Sequence, residues 1–261
     1  MGKLNGYCGI MQPYFFPYWG HFSLIAYTGK WVIFDECQYK PKSWMNRNRI
    51  LHPSKGWQYL TVPLANSSRN IKAKDAKLIN PKQTKDTIIR KLEHYKKEAN
   101  NFSVVIDLID EAFKNIDPEY SLTSLCRASI ALTCEYLGIL FNSQLSSELK
   151  LCYPANMNAG RWAPFIAQSV HATGYLNPIS GASLFEDSEF KKRNLELKFL
   201  RTETAEYSQG NYEKHINLSI LDTLMWLPVN EIRDIIIKNV CIIDGDRYLQ
   251  ELSEETKAAE S

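Results

Sequence analysis

A chain of 261 residues that is 44% apolar and 23% charged can bury a sizeable core, and its composition excludes a disordered or fibrous protein. Its 31 lysines and arginines against 29 aspartates and glutamates leave a formal charge of +2, so net charge does not argue for a nucleic-acid partner. Six scattered cysteines without a C-x-x-C pair read as reduced thiols, and no run nears the roughly 20 apolar residues that span a bilayer; a cytoplasmic protein that does not insert into membranes is expected.

Tyr7 to Gln12 is a short apolar run stopped by Pro13, the pattern of a buried strand running into a loop. Pro17 opens a predicted helix through Tyr27, ended by Gly29, and Trp31 to Phe34 reads as a second buried strand leading into Asp35 and Glu36. Alternation from Trp57 to Leu64 after a turn at Gly56 predicts a strand at the sheet border or a hairpin with Arg47 to Leu51. From Lys82 the period becomes helical. Ile88, Ile89, Leu92 and Tyr95 share a face, Phe102 to Ile116 repeats the pattern, and Ser121 to Leu137 follows with Gly138 as its cap.

Arg161 to Thr173 is a further helix, Gly174 to Leu176 enters a strand, and Asn177 to Ser183 is a turn-rich loop. Leu195 to Leu200 alternates as a half-buried strand does. Two helices, Ser219 to Trp226 and Val229 to Val240, flank Pro228. No fixed-period repeat is present. The expected fold is α/β: a single domain over residues 1–250, with a central mixed β-sheet covered by helices and a helical middle third, then a mobile polar tail at 251–261.

Two segments concentrate chemistry. The loop from Gln12 to His21 follows a strand, where open α/β sheets bind ligands, and pairs aromatic rings with Gln12 and His21. Asp35, Glu36, Cys37, Gln38 and Tyr39 follow the second strand, and Trp44-Met45-Asn46-Arg47-Asn48-Arg49 comes a short loop later. A strand-tip carboxylate suits a base, and arginines framed by asparagines suit phosphate. Blandly read, Phe15, Phe16 and Trp19 are packing, Asp35 caps a turn and the arginines pair at the surface. Cys37 has no hydrolase signature around it and Cys8 lies in an apolar strand. The five histidines lack metal-ligand spacing, and no glycine-rich phosphate cradle occurs. Ser219 and Asp222 read as the start of a helix, whereas Tyr207 and Gln209 have no evident fold role.

These residues resemble the WbqC-like family of bacterial proteins, found among polysaccharide and O-antigen biosynthesis genes. The likeness rests on Gln12-Pro-Tyr-Phe-Phe-Pro-Tyr-Trp-Gly-His-Phe-Ser-Leu-Ile25, Val32-Ile-Phe-Asp35 with Gln38-Tyr39, Trp44 with Asn46-Arg47-Asn48-Arg49-Ile50, and Leu60-Thr-Val-Pro63. Tyr175 with Ser180-Gly181, Tyr207 with Gln209, and Leu218 to Asp222 match looser patterns. Cys37 departs from the family, where an aliphatic residue is usual.

The resemblance implies an N-acyl or aminoacyl transferase, glycyl among its options, forming an amide on the amine of a nucleotide-linked amino sugar. Under it Arg47 and Arg49 bind the diphosphate, and Tyr14 and Trp44 stack on base or sugar. His21 or Asp35 is the general base, His21 first because an imidazole near its ordinary pKa is partly neutral at working pH. Gln12, Asn46 or Asn48 donates to the oxyanion, and Gln38, Ser180, Tyr207 and Gln209 complete the substrate-binding set. No bound cofactor or metal is expected. The co-substrate is a pre-activated acyl donor, a thioester or aminoacyl ester, borne by an acyl or aminoacyl carrier. The competing expectation is a non-catalytic protein that holds a glycan precursor or a partner enzyme. A polymerising glycosyltransferase is disfavoured because no D-x-D metal motif occurs.

Overall fold

The computed structural model describes residues 4–66, 68–155 and 157–260. Its first third contains strand β1 (Leu4–Met11), helix α1 (Trp19–Tyr27), strand β2 (Thr28–Ile33) and the hairpin strands β3 (Arg47–Leu51) and β4 (Trp57–Thr61). Helices α2 (Pro81–Leu92), α3 (Phe102–Lys114) and α4 (Leu122–Tyr136) fill the middle, followed by strand β5 (Ser143–Leu145). The last part runs through α5 (Ala159–Ser169), β6 (Gly174–Pro178), α6 (Asp187–Lys191), β7 (Glu196–Thr202), α7 (Ile220–Trp226), α8 (Val229–Lys238), β8 (Val240–Asp244) and α9 (Gly245–Glu260). The fold is therefore α/β with a mixed central sheet.

Six strands form that sheet in the order β5-β2-β1-β6-β7-β8, all parallel to their neighbours except β8, which runs antiparallel to β7. Because side chains alternate across a strand, Tyr7, Trp31 and Ile33 enter one core while Cys8, Ile10 and Val32 enter another on the opposite face. Covering both faces makes the inner strands read as continuous apolar runs. Helices α1, α3, α4, α7 and α8 bury residues such as Ile25, Ile109, Ile130, Leu224 and Ile236 in the first core. Helices α5, α6 and α9 contribute Ile166, Phe190 and Tyr248 to the second. No helix among the described residues is long and apolar enough to cross a membrane.

The expected hairpin is present, with Arg47 opposite Thr61 and Leu51 opposite Trp57. Gly138 closes α4 at φ 63°, a left-handed conformation that costs glycine nothing. The ends of the chain differ from expectation. The helix expected from Val229 to Val240 stops at Lys238, and Val240 instead begins β8, whose β-branched residues pair along β7. Strand β5 is three residues of mixed polarity, too short for any periodicity to register. The expected polar tail is drawn as the end of α9 as far as residue 260, with Tyr248, Leu249 and Leu252 of that helix against the second core; Ser261 lies outside the described residues.

Sheet order also places the crevice. From β1 the chain builds outward through β2 and β5, then returns to the other side of β1 and builds outward again through β6, β7 and β8. The order reverses between β1 and β6, and in open α/β sheets ligands bind beyond the carboxyl ends of the strands at such a point.

Candidate functional site

Two adjoining hollows open there, sharing Met11, Tyr14, Pro178 and Ser180 as walls. The larger, of about 640 Å³, is lined by Gln12, Phe34, Glu36, Gln38, Trp162 and Asn177 among others. The smaller, of about 340 Å³, is lined by Tyr18, His21, Trp44, Asn48, Arg49 and Thr202. Gly181 in the larger wall is set by close approach, since a Cβ there would lie 2.5 Å from Nδ2 of Asn177.

The loop between β1 and α1 is held rigidly enough to present its rings. Phe16 sits at φ 39°, a conformation costly for a bulky L residue, and persists because its surroundings over-determine it. Its carbonyl accepts from Nδ2 of Asn48 and from Oγ of Ser219, both at 2.7 Å, and its amide donates to Oγ of Ser129 at 3.3 Å. Asn48 also donates to the Phe15 carbonyl at 3.1 Å, and the Ile220 amide donates to Pro17 at 2.9 Å. Phe15, Phe16 and Trp19 are consequently core residues, whereas Tyr14 and Tyr18 line the hollow.

Alternation along β3 puts Arg47 and Arg49 on one face and Asn48 on the other, with different outcomes for each. Arg49 lines the smaller hollow with its guanidinium 5.5 Å from the Trp44 ring and 5.2 Å from the Trp57 ring, and Nη2 donates to the Asn217 carbonyl at 3.1 Å. Cation–π attraction and that hydrogen bond orient its planar fork. Arg47 lies 3.9 Å above the Tyr59 ring and lines neither hollow, so of the two arginines expected to act together only Arg49 is at the crevice. Asn46 is buried and donates to the Val62 carbonyl at 3.1 Å. Both asparagines expected at the oxyanion are engaged with backbone, and Gln12 is the amide left in the larger wall.

The two expected bases are also corrected. His21 lies in the wall of the smaller hollow but is 3% exposed, packed edge-on to Tyr14 and Trp31 at 5.5 and 5.0 Å. Burial without a counter-charge pushes its pKa down to about 3, so it is neutral and a poor proton acceptor at working pH. Its Nε2 has no hydrogen-bond partner among the described residues. Asp35 is 1% exposed and its oxygens are occupied: Oδ1 accepts from Oγ of Ser146 at 2.7 Å and the Ser147 amide at 3.0 Å, and Oδ2 from Oγ of Ser147 at 2.6 Å. It pins the turn after β5 to the tip of β2 and lines neither hollow. Cys37 lines the larger hollow, but burial first and the neighbouring Asp35 second push its thiol up to about 12, which removes it as a nucleophile.

Glu36, next to Asp35, turns the other way into the larger hollow. It accepts from Oη of Tyr153 at 2.9 Å and pairs with Lys74 at 3.4 Å and Lys72 at 3.7 Å. It was missed because Asp35 and Glu36 lie in the turn after β2, where sequence alone does not say which neighbour faces a hollow. Trp162 was missed too: its helix was visible and its orientation was not.

Gln38, Trp44 and Ser180 lie at the crevice as expected, Gln38 also donating to the Arg69 carbonyl at 2.6 Å. Tyr207 and Gln209 do not. They belong to a buried knot around Asp222, which accepts from Oη of Tyr207 at 2.7 Å, Nε2 of Gln209 at 3.0 Å, Oη of Tyr95 at 2.6 Å and Nε1 of Trp226 at 3.4 Å. Ser219 is the expected cap, its Oγ accepting from the Leu221 amide at 3.3 Å.

A model of the WbqC-like protein family matches residues 12–234. An uncharacterized protein of Mycobacterium tuberculosis is 28% identical over 218 residues, covering 82% of this chain and 91% of its own. No solved structure matches significantly.

Proposed function

The chain belongs to the WbqC-like protein family, and on that premise we propose that it is a cytoplasmic N-acyl or aminoacyl transferase of bacterial polysaccharide or O-antigen biosynthesis. It forms an amide on the amine of a nucleotide-linked amino-deoxy sugar, using an acyl group that arrives already activated. The observation that carries this reading is the composition of the two joined hollows: an arginine near the Trp44 indole beside tyrosine rings, next to a wall bearing one carboxylate. The arginine fork matches a diphosphate and the rings match a base or sugar. Glu36 matches an ammonium.

In the reaction the neutral amine attacks the acyl carbon, the carbon–sulfur or carbon–oxygen bond to the carrier breaks, and the amine proton passes through Glu36 to the departing thiolate or alkoxide. The products are the amide and the free carrier. Glu36 takes the proton-accepting role because it is the carboxylate facing the crevice, where the amine displaces one of its partners, Tyr153, Lys72 and Lys74. The Gln12 amide is the donor available to a developing oxyanion.

A binding or assembly role without catalysis is the second reading, favoured by the loss of His21 and Asp35 as bases. A thermal-shift screen of nucleotide sugars with and without the amine separates them, since a ligand that binds the folded state raises stability by mass action. A selective shift with an amino sugar, lost in Arg49→Ala, together with turnover abolished and binding retained in Glu36→Gln, supports the transferase. No shift across the panel favours partner binding.

A further inference from the structure

A third hollow of about 430 Å³ shares Gln12 and Gln38 with the larger of the two and is otherwise walled by Tyr39, Lys40, Pro41 and Arg69. Its backbone is zipped together. The Tyr39 amide donates to Ile71 at 2.9 Å, Gln38 and Lys72 form an antiparallel bridge, the Ala73 amide donates to Cys37 at 2.9 Å, and the Gln38 side chain reaches the Arg69 carbonyl. The backbone that carries Lys40 and Arg69 is thereby fixed, while both side chains remain exposed to meet a ligand.

Charge is concentrated here. Lys72 and Lys74 share Glu36, whereas Lys40 and Arg69 pair with no carboxylate among the described residues. In a chain whose formal charge is only +2, Lys40 and Arg69 line this hollow with no carboxylate in its wall, and Lys72 bridges to Gln38 beside it. Concavity, a fixed backbone and unpaired cations together describe a phosphate receptor, and its small volume suits a compact ligand better than an RNA face.

We propose that this hollow is a second phosphate subsite, which takes the phosphoryl groups of a small phosphorylated acyl or aminoacyl carrier while the sugar nucleotide occupies the hollow around Arg49. The inference rests on the transferase reading and names its donor class. The carrier's anionic end sits at Lys40 and Arg69, and its thioester or ester end passes Gln12 into the hollow that Glu36 lines.

Calorimetric titration of the full chain tests this, with coenzyme A as the phosphorylated carrier and uridine diphosphate as the sugar-nucleotide probe. Each is titrated onto Lys40→Ala/Arg69→Ala and onto Arg49→Ala, with melting temperatures as a folding control. Coenzyme A is expected to bind roughly tenfold more weakly to the double variant, the scale of losing charge-assisted hydrogen bonds, and equally to Arg49→Ala. Uridine diphosphate is expected to show the reverse. Coenzyme A that fails to bind, or binds the double variant equally, overturns the subsite. RNA that binds through Lys40 and Arg69 when coenzyme A does not also overturns it. Loss of uridine diphosphate binding alone overturns the sugar-nucleotide reading and leaves the subsite standing.

Discussion

The knot around Asp222 and the wall of the crevice are both dense in polar side chains, and they end differently. In the knot, both carboxylate oxygens accept from donors within the chain and the group is fully buried. At the crevice, Trp44 is 42% exposed, Glu36 faces the larger hollow, and Nε2 of His21 and Nε of Arg49 are buried without hydrogen-bond partners among the described residues. Buried atoms without partners also occur away from the crevice, at Arg47, His94 and His215, so the contrast rests on which groups face a hollow. The knot is a structural anchor, and the crevice is the candidate site.

The sharpest way to break that contrast is Asp222→Ala. It strands the donors of Tyr95, Tyr207, Gln209 and Trp226, and a loss of about 3 to 5 kcal/mol is expected in urea unfolding. A loss below about 1 kcal/mol would show that the knot is no anchor.

Asn48 belongs to both regions, since it lines the smaller hollow while clamping Phe15 and Phe16. Asn48→Ala is expected to cost about 2 to 3 kcal/mol, because two buried carbonyls lose a donor, and to weaken ligand binding through the loosened loop. Loss of stability with full binding would separate the clamp from the site.

His21 tests the crevice by pH. The unfolded chain takes up a proton near 6.5 while the folded one resists until about 3, so the unfolded state binds more protons in that window. The stabilisation is complete above 6.5 and falls as pH drops toward 3. Between pH 6.5 and 5 this group is expected to remove about 2 kcal/mol, and His21→Gln should lack that slope. Parallel slopes for the two proteins would mean that His21 is not held neutral.

The smallest stability effect belongs to Arg49→Ala. A partly exposed side chain with one hydrogen bond to backbone and two ring contacts should change unfolding by about 1 kcal/mol, even where ligand binding is lost. A large loss of stability would make Arg49 a fold residue and remove the clearest cation from the site.

Much of this protein was legible in order of residues alone. Short apolar runs located β1 and β2, period-3.6 stripes located α2 to α4, and alternation after Gly56 offered the hairpin as one of two readings, its register coming from the fold. Of the aromatic loop and the stretch from Trp44 to Arg49, the residues that line the hollows are Gln12, Tyr14, Pro17, Tyr18, His21, Trp44, Asn48 and Arg49, and their clustering followed from uncommon residues written in order along the chain. What the chain did not reveal was which side chains its contacts consume. Asp35 and Glu36 are neighbours, yet Asp35 is bound by Ser146 and Ser147 away from both hollows, while Glu36, held by Tyr153, Lys72 and Lys74, lines the larger one. Tyr207 and Gln209 are spent on Asp222, and His21 lost its basicity to burial. Those outcomes depend on partners distant in sequence and on local dielectric, and both exist only once the chain has folded.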